Sequence, residues 1–207
     1  MTDNYEAWRR DWRARFCALD HAELQKKLPF LELDDRWLTV LYFSQPCAIA
    51  RADGVITPPG GLKSFSLYDE LNIFTMLWYS REDAHLTGEW LPFESLRSAG
   101  PYGPAFRSGN LKPFAATFSG HKASLREALL AFGGRRLPTG DVGYEIDVFP
   151  CIPMRVLFWE GDEEFPAQAN LLFDRSAPDF IHVESVVTIA SAALRHLAEY
   201  ADLPIRD

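Results

Sequence analysis

Glu160, Asp162, Glu163 and Glu164 crowd around Gly161, with apolar runs on both sides in "FWEGDEEFPAQANLLFD". Oxygen ligands at this density suit Mg²⁺ or Ca²⁺ over zinc. In extended backbone Asp162 and Glu164 point to the same side, and with Asp174 or Asp141 they could share such an ion. Two crowded carboxylates could instead hold one proton and act as an acid–base pair. The stretch also reads as a hairpin turn, with Gly161-Asp162 at its tip and the acids solvated. A third reading is structural: a carboxylate accepts backbone N–H groups and holds the turn.

Other chemistry finds less support. The five histidines, His21, His85, His121, His182 and His196, form no HxH, HxxxH or HExxH pattern, so zinc catalysis has no motif. His182 stands beside Glu184 at the start of a helix, where a histidine serves as a cap or a core-edge residue. No GxSxG, GxGxxG or Walker loop occurs. The run "GGRRLPTGD" could hold a phosphate or carboxylate through its arginines, or end a helix with solvated arginines. Cys151, between Pro150 and Pro153, reads as a buried, inert thiol rather than a reactive one, which would need a positive neighbour.

These residues belong to a chain of ordinary globular composition: 47% hydrophobic, 14% aromatic and 207 residues long, enough to bury a substantial core. Its net charge of −8 excludes the basic footprint of nucleic-acid binding. Cys17, Cys47 and Cys151 are scattered and odd in number, forming neither a disulfide framework nor a CxxC motif. A reducing compartment suits them. The opening segment lacks the apolar stretch of a signal peptide, and no run is long enough to span a bilayer. The expected location is the cytoplasm.

The elements that must position the acidic stretch follow from periodicity. Tyr5, Trp8, Trp12, Phe16 and Leu19 recur at helical spacing, giving an N-terminal helical extension over 1–30 that packs on the domain or meets a protein partner or second subunit. Asp20 with Glu23 opens a short second helix. "RWLTVLYF", "PCAIAR" and "VIT" read as a β-meander turning at Ser44-Gln45-Pro46 and Ala52-Asp53-Gly54. The most apolar helix covers 65–79, with Ser66 and Asp69 at capping-box spacing. Residues 81–110 read as loop, followed by helices near 110–118 and 122–132. Strands near 142–149, 153–159 and 168–173 precede a closing helix over 183–200. The expected fold is α+β: a single domain over 31–207, in which one mainly antiparallel sheet, joining the meander to the later strands, packs against apolar helices.

The C-terminal half also resembles the uncharacterised DUF3786 family. The likeness rests on Gly140-Asp141, Pro150 with Pro153, Trp159-x-Gly161-Asp162-x-Glu164-Phe165-Pro166, Leu172-Phe173-Asp174, and Glu184 early in the last helix. It extends more loosely across 30–200. The resemblance implies relatives in bacteria and archaea, many anaerobic, some fused to a four-cysteine iron–sulfur segment. This chain lacks four thiolates for such a cluster, so no iron–sulfur cluster and no covalently bound cofactor is expected in it. A link to that chemistry would run through a partner or a bound ligand.

The expectation that follows is a soluble ligand-binding or accessory protein in anaerobic one-carbon, corrinoid or iron–sulfur metabolism. The alternatives are an enzyme using Asp162 and Glu164, with or without Mg²⁺, and a protein-interaction module. The candidate ligand- or metal-binding residues are Asp141, Trp159, Asp162, Glu164, Asp174, His182 and Glu184. A pocket holding the Trp90–Phe93 segment, Trp159 and the acidic turn would favour ligand binding or catalysis, and carboxylates converging at ligand distance would favour metal or catalytic chemistry.

Overall fold

The computed structural model describes the backbone of residues 2–206 and the side chains of residues 5–206. Two helices open the chain, α1 (Thr2–Cys17) and α2 (His21–Lys27). Asp20 caps α2 by accepting the N–H groups of Ala22 at 3.0 Å and Glu23 at 3.1 Å, satisfying donors that the first turn leaves free.

The meander forms a four-stranded antiparallel sheet in chain order: β1 (Glu32–Leu33), β2 (Trp37–Tyr42), β3 (Gln45–Ala50) and β4 (Ile56–Thr57). Leu38, Val40 and Tyr42 alternate into the core, as period-two patterning requires. The β2–β3 turn falls on Phe43–Ser44, one residue before the expected position. Both have positive φ, 49° and 59°, a conformation that two-residue hairpins usually obtain from Asn-Gly. Burial of Phe43 displaces the turn: its side chain is enclosed, and its N–H donates to the Val148 carbonyl at 2.9 Å.

Next comes α3 (Leu67–Tyr79), the apolar helix. At its start the Ser66 N–H and hydroxyl both donate to Asp69 Oδ2, at 2.6 and 2.8 Å. α3 receives the aromatic stripe of α1: Trp12 and Phe16 are buried, Trp12 stacks on Phe74 with centroids 6.5 Å apart, and it meets Trp78 edge-on at 6.4 Å.

After the short β5 (Trp90–Pro92), the segment expected to be loop is largely helical. α4 (Gly103–Phe106) runs through a π-helical turn (Arg107–Leu111) into α5 (Lys112–Phe118), followed by α6 (Lys122–Ala131). Then come β6 (Arg135–Arg136), β7 (Val142–Phe149), β8 (Ile152–Trp159), β9 (Gln168–Asp174), α7 (Ala177–Phe180) and α8 (Val183–Tyr200).

The α+β architecture is the expected one, with one correction: the strands form two sheets. The second has the order β5-β9-β8-β7-β6, all antiparallel. The meander satisfies its ladder by local pairing, while both edges of the larger sheet are occupied by Trp90–Pro92 and Arg135–Arg136. Arg135, expected to be solvated after a helix, instead pairs with Asp147 at 2.7 Å and Glu145 at 3.0 Å. Among the described residues no helix is long and apolar enough to cross a membrane.

Candidate functional site

Pro113 shapes the first wall of the site. Proline has no N–H to donate four residues back, and its ring crowds the carbonyl there. The backbone widens just before it: the Lys112 N–H donates to the Arg107 carbonyl, five residues away. Such single π turns inside α-helices are frequent at functional sites. The α4–α5 helix presents Arg107, Leu111, Ala115 and Ser119 on one face, with Lys112 and Ala116 beside them, consistent with four-residue spacing. All six line a groove of about 720 Å³.

The opposite wall is the β8–β9 connection, the acidic stretch itself. Gly161, Asp162, Phe165, Pro166 and the first residues of β9 line it. An adjoining cavity of about 400 Å³ shares Arg107, Leu111, Gln168 and Ala169 with the groove and continues to Phe93 and Trp159. Phe93 and Trp159 thus line the adjoining cavity and the acidic turn lines the groove, while Trp90 lines neither.

The carboxylates divide the work of holding this wall. Asp141 Oδ2 accepts the Glu160 N–H at 2.7 Å. Glu160 Oε1 accepts the Gly120 N–H at 3.0 Å, tying the turn to the residues after α5. Asp162 Oδ1 accepts the N–H groups of Phe165 at 2.8 Å and Glu164 at 2.9 Å, while the Asp162 N–H donates to the Phe165 carbonyl at 2.9 Å. These bonds, from Phe165 and then Glu164, hold the Asp162 carboxyl below its ordinary pKa. Gly161 is required by close approach: a Cβ there would lie 2.6 Å from the Ala167 nitrogen. The tip holds Phe165 62% exposed beside the groove.

The other sequence candidates lie elsewhere. Asp174 is buried and accepts five donors: the N–H and hydroxyl groups of Thr87 and Ser176, and the Gly88 N–H. Burial pushes its carboxyl upward, but these hydrogen bonds, led by Ser176, prevail and hold it below the usual range. His182 caps α8, its Nδ1 accepting the Glu184 N–H at 3.3 Å; Glu184 is exposed in the first turn, and neither lines the groove. Glu164 is exposed beside Asp162. Among the described residues no three His, Cys, Asp or Glu side chains converge to hold a metal ion. The Cys151 thiol is buried, and burial raises its pKa well above the ordinary value.

Residues 20–196 match the family described as Domain of unknown function (DUF3786). The chain belongs to DUF3786. No curated protein and no solved structure matches it. The matched span of this DUF3786 protein takes in both walls of the groove and all seven sequence candidates.

A second polar centre escaped the sequence reading. Asp69, fully buried, accepts Tyr42 Oη at 2.9 Å and Arg195 Nη2 at 2.5 Å, and lies 2.9 Å from His196 Nε2. Burial pushes the Asp69 carboxyl upward, but the hydrogen bond and charge of His196, the Ser66 N–H and Arg195 together hold it well below its ordinary value. The cluster joins β2, α3 and α8 and opens into neither cavity of the groove. Only the Ser66–Asp69 spacing signalled it locally; its other members are distant in sequence. Arg107 was missed because Gly109 makes the first part of this helix read as loop, although Pro104 near its start and the four-residue spacing of Phe106, Asn110, Phe114 and Phe118 mark it; Lys112 falls inside the helix expected near 110–118, where nothing local sets it apart.

Proposed function

We propose that this DUF3786 protein is a ligand-binding or accessory protein that takes a small molecule into the groove between the α4–α5 helix and the β8–β9 turn. The observation supporting this reading is the groove itself. Its volume of about 720 Å³ lies within the range typical of small-molecule sites, its wall is mainly apolar, and it extends into a second cavity beside Trp159. Binding is preferred to acid–base chemistry because Asp141, Glu160 and Asp162 already accept backbone N–H groups that shape the wall.

The metabolic setting implied by the family resemblance makes corrinoids part of the test. Thermal unfolding is measured with single-chain amphiphiles, corrinoids, nucleotides and divalent metals. A ligand at 100 times its Kd adds about 2.7 kcal/mol, which for a chain of this size raises Tm by roughly 5–11 °C. The expected result is a shift with an organic ligand that disappears in Ala116→Trp, which fills the groove. A shift that survives Ala116→Trp, or no shift with any ligand, overturns the reading.

A further inference from the structure

The groove is electrically polarised along its length. Arg107 and Lys112 stand at the N-terminal end of its helical wall, and Leu111, Ala115 and Ala116 follow. The opposite end, at Ser119 and Gly120, meets Glu160 and the acidic turn. Arg107 to Ser119 spans twelve residues, roughly 18 Å at the helical rise of 1.5 Å per residue. One end is thus cationic and the other anionic, with an apolar wall between them.

The cationic end can receive a ligand. Lys112 is exposed and lines the groove. Arg107 pairs with Glu94, but the two side chains are 53% and 47% exposed, and ion pairs this exposed contribute little. A carboxylate or phosphate could therefore replace Glu94 at small cost, and a guanidinium can bind it with two parallel hydrogen bonds. The chain carries a net charge of −8, so these cations stand out against the general field. At the far end Asp162 and Glu160 repel a second anionic group.

Given that the groove is the binding site, we infer that its ligand is a free amphiphile with one anionic head. A carboxylate or phosphate sits at Arg107 and Lys112, and an apolar chain or ring lies along Leu111, Ala115 and Ala116 beneath Phe165 and Pro166.

Calorimetric titration of the intact protein with decanoate, 1-decanol and decanedioate, each below its aggregation concentration, tests this directly. Decanoate is expected to bind at least tenfold more tightly than either of the others: decanol lacks the head, and decanedioate brings a second carboxylate toward the acidic end. Lys112→Gln, an exposed substitution checked for folding by its thermal transition, should remove most of the advantage of decanoate over decanol. Equal affinity for decanoate and decanol, with both abolished by Ala116→Trp, overturns the anionic head while leaving the groove as a site. Decanedioate binding as tightly as decanoate overturns the polarity. Sedimentation with anionic vesicles without binding of free decanoate assigns the surface to a membrane and also overturns the inference. No binding of any probe sinks both this inference and the reading on which it rests.

Discussion

Glu160 reaches forty residues back along the chain, its Oε1 accepting the Gly120 N–H at 3.0 Å. This bond fixes the acidic turn against the end of α5, and Asp141 secures the same residue by accepting its N–H at 2.7 Å. Glu160→Ala should destabilise the protein by about 1 kcal/mol, typical of a single hydrogen bond, and lower Tm by roughly 2–4 °C. It should also weaken ligand binding, because the two walls are no longer tied at this end. Thermal melts and calorimetry on the same variant check both effects.

Gly161→Ala makes a sharper test of the turn. Its Cβ would lie 2.6 Å from the Ala167 nitrogen and 2.9 Å from the Phe165 carbonyl oxygen. Backbone cannot yield as a flexible side chain can. A loss of about 1–3 kcal/mol, the usual cost of overpacking, is expected in urea unfolding, with faster amide exchange confined to 160–167.

Asp69→Asn should be the most damaging polar substitution. Breaking a buried charge pair costs about 3–5 kcal/mol, and the asparagine amide would present donors to Arg195 or Tyr42. The pH dependence follows from the depressed carboxyl. A group whose folded value lies below its unfolded one contributes fully above the unfolded value, near pH 4 for aspartate. That contribution is lost as pH falls through the folded value. Unfolding free energies measured from pH 5 down to pH 2 should therefore decline steeply in the native sequence and less steeply in Asp69→Asn.

The thiols should separate by burial. Cys47 and Cys151 are buried, and burial raises both, Cys47 to about 12. Cys17 is exposed. A disulfide reagent at neutral pH should label one thiol rapidly in the native protein and all three after denaturation; the native-state rate should drop to the slow phase in Cys17→Ser.

Much of the fold is legible where a pattern is local. Alternation in β2 and β7, the capping of α2 by Asp20 and the apolar stripe of α8 each give their element directly. The division into two sheets is not local: two short segments, Trp90–Pro92 and Arg135–Arg136, occupy the edges of the larger sheet, while the Phe43 N–H bonds the meander to it at Val148. The site was half legible. Trp159 and Asp162 do line its two cavities, but Arg107 lies in the first part of the opposing helix, which Gly109 makes read as loop, and Lys112, inside the helix expected near 110–118, carries no local mark. The acidic stretch drew attention by its charge, while its observed hydrogen bonds shape the turn that holds Phe165 beside the groove. His182 and Glu184 were legible as a helix start, and the structure uses them as one.

The most direct measurement is amide chemical-shift mapping of the isotope-labelled protein titrated with decanoate. Ligand binding in the groove predicts saturable changes clustered at 107–119 and 159–169, with residues around Tyr5 and Tyr68, which line a separate cleft, unaffected. Changes centred on that cleft, or spread over the surface without saturation, would contradict it.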